Sequence, residues 1–481
     1  MSSSSNINFH QDEEDGFVQI RVQDATKPTP MDANVERNTI CFQRGGLKRA
    51  LRISFKRTIR VPDNETDTYD LPPDLGTFPL YKVEDYQNNL SKDVIEKGGL
   101  IICMYQREAM WINFEAAVPF AIKIHIGGIN AISGLPMDED EATKMKLREQ
   151  LQKRESLQDY MVVPGQKWLD GIVSYDGKIR QFVAQPKGSG YSVEAQTTGQ
   201  DAMGGIQIEV TPLKFDFPKY IQARYQAANG RVIQRHLTLA NLGIGPEGTW
   251  KDMKQALHTE FGIHEDQQTL SAPHIHDASF ADDNQLGDFY FKKNFILTVS
   301  HKNGGHITSQ VDRLAISAAT MALSGAGTEV DQMTVAPGGL IRQTIRPDPH
   351  PAKAWDGDAT IMFHVHILDP NSFSGLTGKP APPTPISMNT YAEHDSPFFD
   401  IWGEEPTGIH GLFNHLKSSA QMDRERDAGT YAAEKTVPVR VIALRPFQST
   451  FMPVAERTEK VRLSQPGQPE RGARRQASRQ P

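Results

Sequence analysis

The chain has 481 residues, yet no apolar run approaches the roughly 20 residues that a membrane-spanning helix requires. Cysteine is scarce: Cys41 and Cys103 are the two present, and both sit inside apolar runs, TICF and IICMY. That placement suits reduced core thiols rather than a disulfide, and it agrees with an intracellular, cytoplasmic address. The first residues, MSSSSNINFHQDEEDG, are polar and acidic, with no hydrophobic segment of the secretory kind. Basic excess is missing too. Lys and Arg total 52 against 59 Asp and Glu, a net charge of −7, so no general field gathers phosphates. Neither nucleic acid nor a membrane is therefore expected as a partner. Nucleophile signatures are absent as well: there is no G-x-S-x-G, and KGSGYS at 187–192 reads as a turn between strands. The apolar settings of the two cysteines raise a thiol pKa rather than activate it.

What is plentiful is glycine and proline, 38 and 31 residues, which favours many short strands joined by turns. The length implies two to four domains. Residues 1–35 read as a poorly ordered segment and 36–215 as a β-rich domain. In FAIKIHIGGINAISG, Phe120, Ile122, Ile124 and Ile126 alternate with Ala121, Lys123 and His125, the period of a half-buried strand. GGLIICMYQREAMWINF gives two apolar runs separated at Gln106 to Glu108. The charged stretch at about 140–158 predicts one exposed helix with a thin stripe of Met145, Leu147, Leu151 and Leu157. WLDGIVSYDGKIRQFVA predicts a hairpin turning at Asp176-Gly177, and GYSVEAQTTG and GGIQIEVTPL continue the alternation. Residues 306–375 form a second β-rich segment, and 376–455 a Pro-rich linker (KPAPPTPIS) with a mixed region. Residues 456–481 read as a disordered basic tail carrying Arg471, Arg474, Arg475 and Arg479.

Three groups of residues invite a chemical interpretation. GIGPEG at 243–248 matches the glycine spacing of a dinucleotide-binding turn, but it follows a hairpin strand rather than a buried parallel one, so a plain loop is expected. Two His-x-His pairs, His274/His276 and His364/His366, present side chains on one side of an extended chain. Together with Asp277 or Asp356 they could ligate a divalent metal. In ATIMFHVHIL, however, Phe363, Val365 and Ile367 form the apolar face, which leaves His364 and His366 as the solvent face. Asp170 and Glu108 lie beside tryptophans, a setting that raises a carboxyl pKa in glycosidases; a strand-end cap is the plainer role.

The middle of the chain has the clearest pattern. RYQAANGRVIQRHLTL places alternating runs around Asn229-Gly230, a strong hairpin signal. Thr249 and Asp252 form a candidate capping box, Trp250, Met253, Leu257 and Phe261 share one helix face, and Gly262 closes the helix. A hairpin, a helix across a sheet and the buried strand within NQLGDFYFKKNFILTVS make a β-grasp over 220–305. TWKDMKQALHTEFGIHEDQQTL at 249–270 resembles the helix and turn of ubiquitin, through Thr249, Gly262, Ile263, Asp266, Gln267, Gln268 and Leu270. QLGDFYF at 285–291 resembles the turn before ubiquitin's last strand.

The resemblance implies a partner-binding fold. The three positions of ubiquitin's apolar patch fall near Ala228, on Ser271, and on Val299 or Ser300, so most of that patch is polar here. Gly304-Gly305 lies near the family's diglycine, without its flanking arginines. YQREAMWINF, QDYMVVPGQKWLDGI and IRQFVAQPKGSGYSVEAQTTG are similar to segments of an uncharacterised group of fungal proteins, which implies architecture and source only.

The expectation is thus a mainly β protein with α+β character: β-rich, sandwich-like parts flanking a ubiquitin-like β-grasp domain. It would act as a non-catalytic binding or assembly protein without a cofactor, and the sheet edge of the β-grasp could accept a protein partner's strand. The alternative is a metal-dependent, hydrolase-like enzyme using the four histidines. Oligomeric state is left open by the sequence.

Overall fold

The computed structural model describes residues 31–36, 38–44, 47–64, 66–174, 177–226, 231–272, 280–289, 291, 295–302, 332–384, 416–428 and 450–464. Strands β1 (Met31–Glu36), β2 (Thr39–Arg44) and β3 (Leu47–Thr58) make an antiparallel meander. Two short strands follow, β4 (Thr68–Tyr69) and β5 (Tyr81–Lys82), then helix α1 (Lys92–Lys97). The paired apolar runs on either side of Gln106 are β6 (Leu100–Cys103) and β7 (Ala109–Ala116). Next come β8 (Phe120–Ile126), β9 (Ile129–Asn130), helix α2 (Glu141–Gln152), β10 (Met161–Val163) and β11 (Trp168–Leu169). The hairpin expected at Gly177 joins β12 (Gly171–Val173) to β13 (Ile179–Pro186), with Gly177 N donating to Ser174 O at 3.0 Å.

After β13 the alternation predicted for GYSVEAQTTG does not form a strand. Val193–Thr198 is helix α3, because the Ser192 side chain caps the Ala195 N–H and Gly199 closes the other end at φ 80°. The chain then runs through β14 (Ile206–Pro212), β15 (Tyr220–Gln226), β16 (Val232–Thr238), α4 (Trp250–Phe261), β17 (Gln268–Ser271) and β18 (Ile296–His301). It finishes with β19 (Gln332–Ile341), β20 (Ile361–Leu368), α5 (Pro370–Thr377), α6 (Ser419–Asp427) and α7 (Val454–Leu463). Strand β1 and helix α7 thus occupy parts of the two end segments expected to lack order.

Neighbouring strands in the large sheet run β1-β2-β3-β7-β13-β19-β20-β14-β8-β10, antiparallel at every step. Strands from both sides of the central segment therefore belong to one sheet. The sheet folds back on itself: Phe42 of β2 meets Phe363 of β20 with ring centroids 6.1 Å apart. Between the two halves lies a single large core, to which β8, β14 and β20 contribute Ile124, Ile208 and Val365, all fully buried. Helix α2 packs by Leu147 against Leu157 and Val461 of α7, while Met145 stays 67% exposed.

The second sheet is separate, with order β16-β15-β18-β17 and β15 parallel to β18. Helix α4 buries Trp250, Met253 and Leu257 completely against Ile221, Ala223, Leu297 and Val299. Its capping box is present: Thr249 N donates to Asp252 Oδ2 at 2.8 Å, and Asp252 N donates to Thr249 Oγ1 at 3.3 Å. Gly262 ends the helix at φ 72°. This is the β-grasp arrangement, and among the described residues its hydrophobic core shares none with that of the large sheet.

Removing a side chain from one core should therefore leave the other intact. Leu257→Ala is expected to cost about 2–5 kcal/mol. In hydrogen exchange this should appear as lost protection across 220–301, with β13 and β19 unchanged. Thr249→Ala should cost about 1 kcal/mol in the same readout.

Candidate functional site: a buried polar face on the central strands

Strand β8 carries Lys123 and His125 at one parity, β14 carries Gln207 and Glu209, and β20 carries His364 and His366. Register places His125 opposite Gln207 and Gln207 opposite His364, and it places Lys123 opposite Glu209. The other parity of the same strands is the apolar core. The polar parity, however, does not face solvent: these six side chains are all 4% exposed or less. This corrects the half-buried pattern expected for β8 and for His364 and His366.

Helix α7, the residues before it, α1 and the loop after α3 supply the partners. Burial favours pairing, because an unpaired polar atom away from water costs about 1–3 kcal/mol; even so, His125 Nδ1, Asp159 Oδ1 and Arg457 Nε have no hydrogen-bond partner among the described residues. Gln207 accepts from Gly128 N (2.8 Å) and donates Nε2 to Gly204 O (2.8 Å). His366 Nε2 lies 3.0 Å from Gly98 O. A carbonyl can only accept, so Nε2 carries the proton. The rings of His364 and His366 stack at 5.9 Å. Gly99 is needed at this point: at φ 89° its backbone passes over His364, and a Cβ there would sit 2.2 Å from His364 O.

The charged half of the face holds the last described segment. Lys123 Nζ donates to Thr450 O (2.9 Å) and lies 3.0 Å from Asp159 Oδ2. Asp159 also pairs with Arg457, whose other terminal nitrogen reaches Glu139. Glu209 Oε1 accepts the N–H groups of Thr450 (2.6 Å) and Phe451 (3.0 Å), and Glu209 Oε2 accepts the Thr450 hydroxyl at 2.9 Å. Beside them, Tyr160 Oη donates to Asp348 Oδ2 at 2.6 Å and accepts Val454 N at 3.0 Å.

The electrostatics follow from this geometry. Burial, with help from the Lys123 charge, lowers His125 to about 3. Burial likewise lowers His366 to about 4 and holds His364 well below the usual imidazole range, with the neighbouring His366 adding to the effect. All three are neutral at pH 7. Burial alone would raise Asp159, but Arg457 and Lys123 outweigh it and hold the carboxyl below its usual range. Burial also pushes the thiols of Cys41 and Cys103 up to about 11 and about 12, so neither is primed as a nucleophile.

The other candidates are spread through the fold. His274 and His276 lie outside the described residues, as do Asp277, Ala228 and Gly304-Gly305. Among the described residues no group of three or more His, Cys, Asp or Glu side chains is arranged to hold a metal ion. Asp356, the other proposed ligand, forms an ion pair with Arg44 at 3.1 Å. Glu108 pairs with Arg57, and its Oε2 accepts Tyr105 N at 2.9 Å as a turn cap; burial keeps its pKa raised despite the arginine. The GIGPEG loop is engaged by its own fold, since Gly248 O accepts Leu286 N and Pro246 O accepts Gly287 N, each at 2.7 Å. On the outer β-grasp face, Ser271 and Ser300 are half-exposed while Val299 is buried, so the patch positions described there are polar.

Lys123, His125, Asp159, Glu209 and Arg457 were not singled out by sequence reasoning. One signal was available: β8, β14 and β20 each carry two polar residues two positions apart on the face opposite the core. No family model matches the chain, and no curated protein matches it. Among solved structures, a designed protein based on ubiquitin is 14% identical. It covers 19% of this chain and 100% of its own, at a TM-score of 0.14. No helix of the described residues is long and apolar enough to cross a membrane.

Two outcomes follow. Below their unfolded pKa of about 6.5, the three histidines take up protons in the unfolded chain but not in the folded one, so acidification favours unfolding. Stability should fall between pH 6.5 and about 4, the lowered value of His366. The slope is about 1.4 kcal/mol per pH unit for each histidine still neutral in the fold. Urea midpoints at pH 7 and 5 measure this, and His364→Gln with His366→Gln should flatten the slope. Separately, Asp159→Asn removes the buried negative charge shared by Lys123 and Arg457 and should cost about 3–5 kcal/mol. Limited proteolysis would then cut within 450–464.

Proposed function

We propose that the chain is a non-catalytic binding or assembly protein that engages a protein partner through its β-rich surfaces and its β-grasp unit. The observation that carries this reading is the uncovered face of the β-grasp sheet. Helix α4 covers one side only. On the other, Tyr220 is 60% exposed and Val232 44%, at opposite ends of the β15–β16 pair. Between them lie Gln222, Arg224, Gln234 and His236, with Gln234 Nε2 donating to Gln222 Oε1 at 2.9 Å. An exposed tyrosine and an arginine are among the groups that protein interfaces favour.

The face is a better docking surface than the edge. Arg235 shares the inward parity of Ile233 and Leu237 on edge strand β16, yet it is exposed. An inward-pointing charge on an edge strand discourages another strand from adding there. The contact is therefore assigned to side chains on the open face and not to main-chain pairing along β16.

The test combines Tyr220→Ala with Arg224→Glu in the full-length chain. Native mass spectrometry of the chain isolated from its own cells should show a protein-containing complex. The double variant should weaken that complex at least tenfold with an unchanged thermal midpoint. A chain that is always free of protein partners, or a complex indifferent to both changes, would sink the idea.

A further inference from the structure

We infer that the open face of the β-grasp sheet recognises an acidic segment of a protein partner. The inference rests on the docking reading above and supplies its chemistry. The chain as a whole is acidic, with a net charge of −7, yet its charges are unevenly placed. From Lys219 to Thr238, a span that includes β15 and β16, the sequence holds Lys219, Arg224, Arg231 and Arg235 and no Asp or Glu. Strands β17 and β18 contain no carboxylate either, and they add Thr269, Ser271, Thr298 and Ser300 on the side away from α4. A whole sheet without a negative side chain, in a negatively charged chain, is a surface that attracts anions.

These cations also stand unmatched. Elsewhere positive side chains meet carboxylates within the fold, as Arg44 meets Asp356, Arg52 meets Glu115 and Lys56 meets Asp74. On the helix side of the β-grasp itself, Lys254 pairs with Asp282 at 2.5 Å. Lys219, Arg224 and Arg235 are exposed instead, and none forms an ion pair with another described residue. Carboxylates brought by a partner would relieve their mutual repulsion, whereas a basic partner would add to it.

The register sets the size of the ligand. Tyr220 and Arg224 lie on one side of β15, four positions and about 13 Å apart, so about five residues of extended chain span them. Arg224 offers a planar fork that takes a carboxylate through two N–H groups. Opposite it stands Gln234, whose bond to Gln222 uses the Gln222 oxygen and leaves that residue's NH2 group as a further donor. Tyr220 gives an apolar ring for a neighbouring side chain, while Lys219 and Arg235 at the rim steer the approach. Few charges over a short span suit a peptide segment. A polynucleotide binds through a long run of phosphates, which this chain's net negative charge would repel.

The test titrates the full-length chain with a fluorescein-labelled peptide of about twelve residues that repeats Glu-Glu-Leu, read by fluorescence anisotropy. Binding should saturate, and Arg224→Glu should weaken it at least tenfold. The same charge change at Lys251→Glu, exposed on α4 at the other side of the unit, should alter it less than twofold. Raising salt from about 50 to about 300 mM should weaken it at least threefold, because exposed charges are screened. Equal losses from Arg224→Glu and Lys251→Glu overturn the assignment to this face. A single-stranded oligonucleotide of equal charge that binds as tightly as the peptide overturns the protein ligand and makes the face a general anion site. No peptide binding, with a native complex still weakened by Tyr220→Ala and Arg224→Glu, overturns the acidic chemistry and leaves the docking reading standing. No peptide binding and a native complex indifferent to those changes overturn both.

Discussion

The structure is organised by the need to satisfy polar side chains on strands that are buried on both faces. Strands β8, β14 and β20 put isoleucine, valine and phenylalanine into the shared core, so their register is set by the hydrophobic effect. The opposite parity then lies beneath α1, the α3 loop and the α7 segment, where water cannot serve as a partner. The surrounding pieces follow from this. Histidines stay neutral, Gln207 bridges two backbone groups, and a carboxylate and two cations meet at Asp159. Local dielectric makes such a network strong when complete and costly when broken.

The β-grasp unit resolves its packing differently. It buries one sheet face under α4 and leaves the other to solvent, so the polar residues of that open face need no internal partners, whereas buried Gln268 donates to Lys254 O and Ile263 O. Trp250 anchors that core between Phe280 and Phe289, with ring centroids 4.7 and 5.1 Å away. The large sheet keeps polar chemistry inside, where it specifies how segments dock. The β-grasp displays it outside, where a partner can read it.

The β-grasp was legible because its signals are local. A hairpin, a capping box and a helical stripe each span a few residues, and the antiparallel β15–β16 pair and the Thr249–Asp252 box agree with them, while Asn229-Gly230 itself lies outside the described residues. Strand positions in the large sheet were legible for the same reason. What covers the second face was not. Whether Lys123 points to water or to Thr450 depends on a contact across 327 residues, and no periodicity within β8 encodes that. The α3 segment misled in another way: its short alternation resembles a strand, but the Ser192 cap and Gly199 outweigh a weak β preference. Arg457 carries no local mark at all, since on a charged helix it looks like any solvated residue.

The insertion of the β-grasp between β14 and β19 also constrains how the molecule is born. A ribosome delivers β1 through β14 before the partners β19 and β20 exist, so β13 and β14 emerge with open edges. The β-grasp, whose pairings all lie within 220–301, is complete before those partners arrive. Its early folding shortens the effective tether between the two halves and lowers the entropic cost of closing that loop. During synthesis the unfinished sheet is the vulnerable species, exposing paired-strand templates to aggregation until the last third of the chain leaves the exit tunnel.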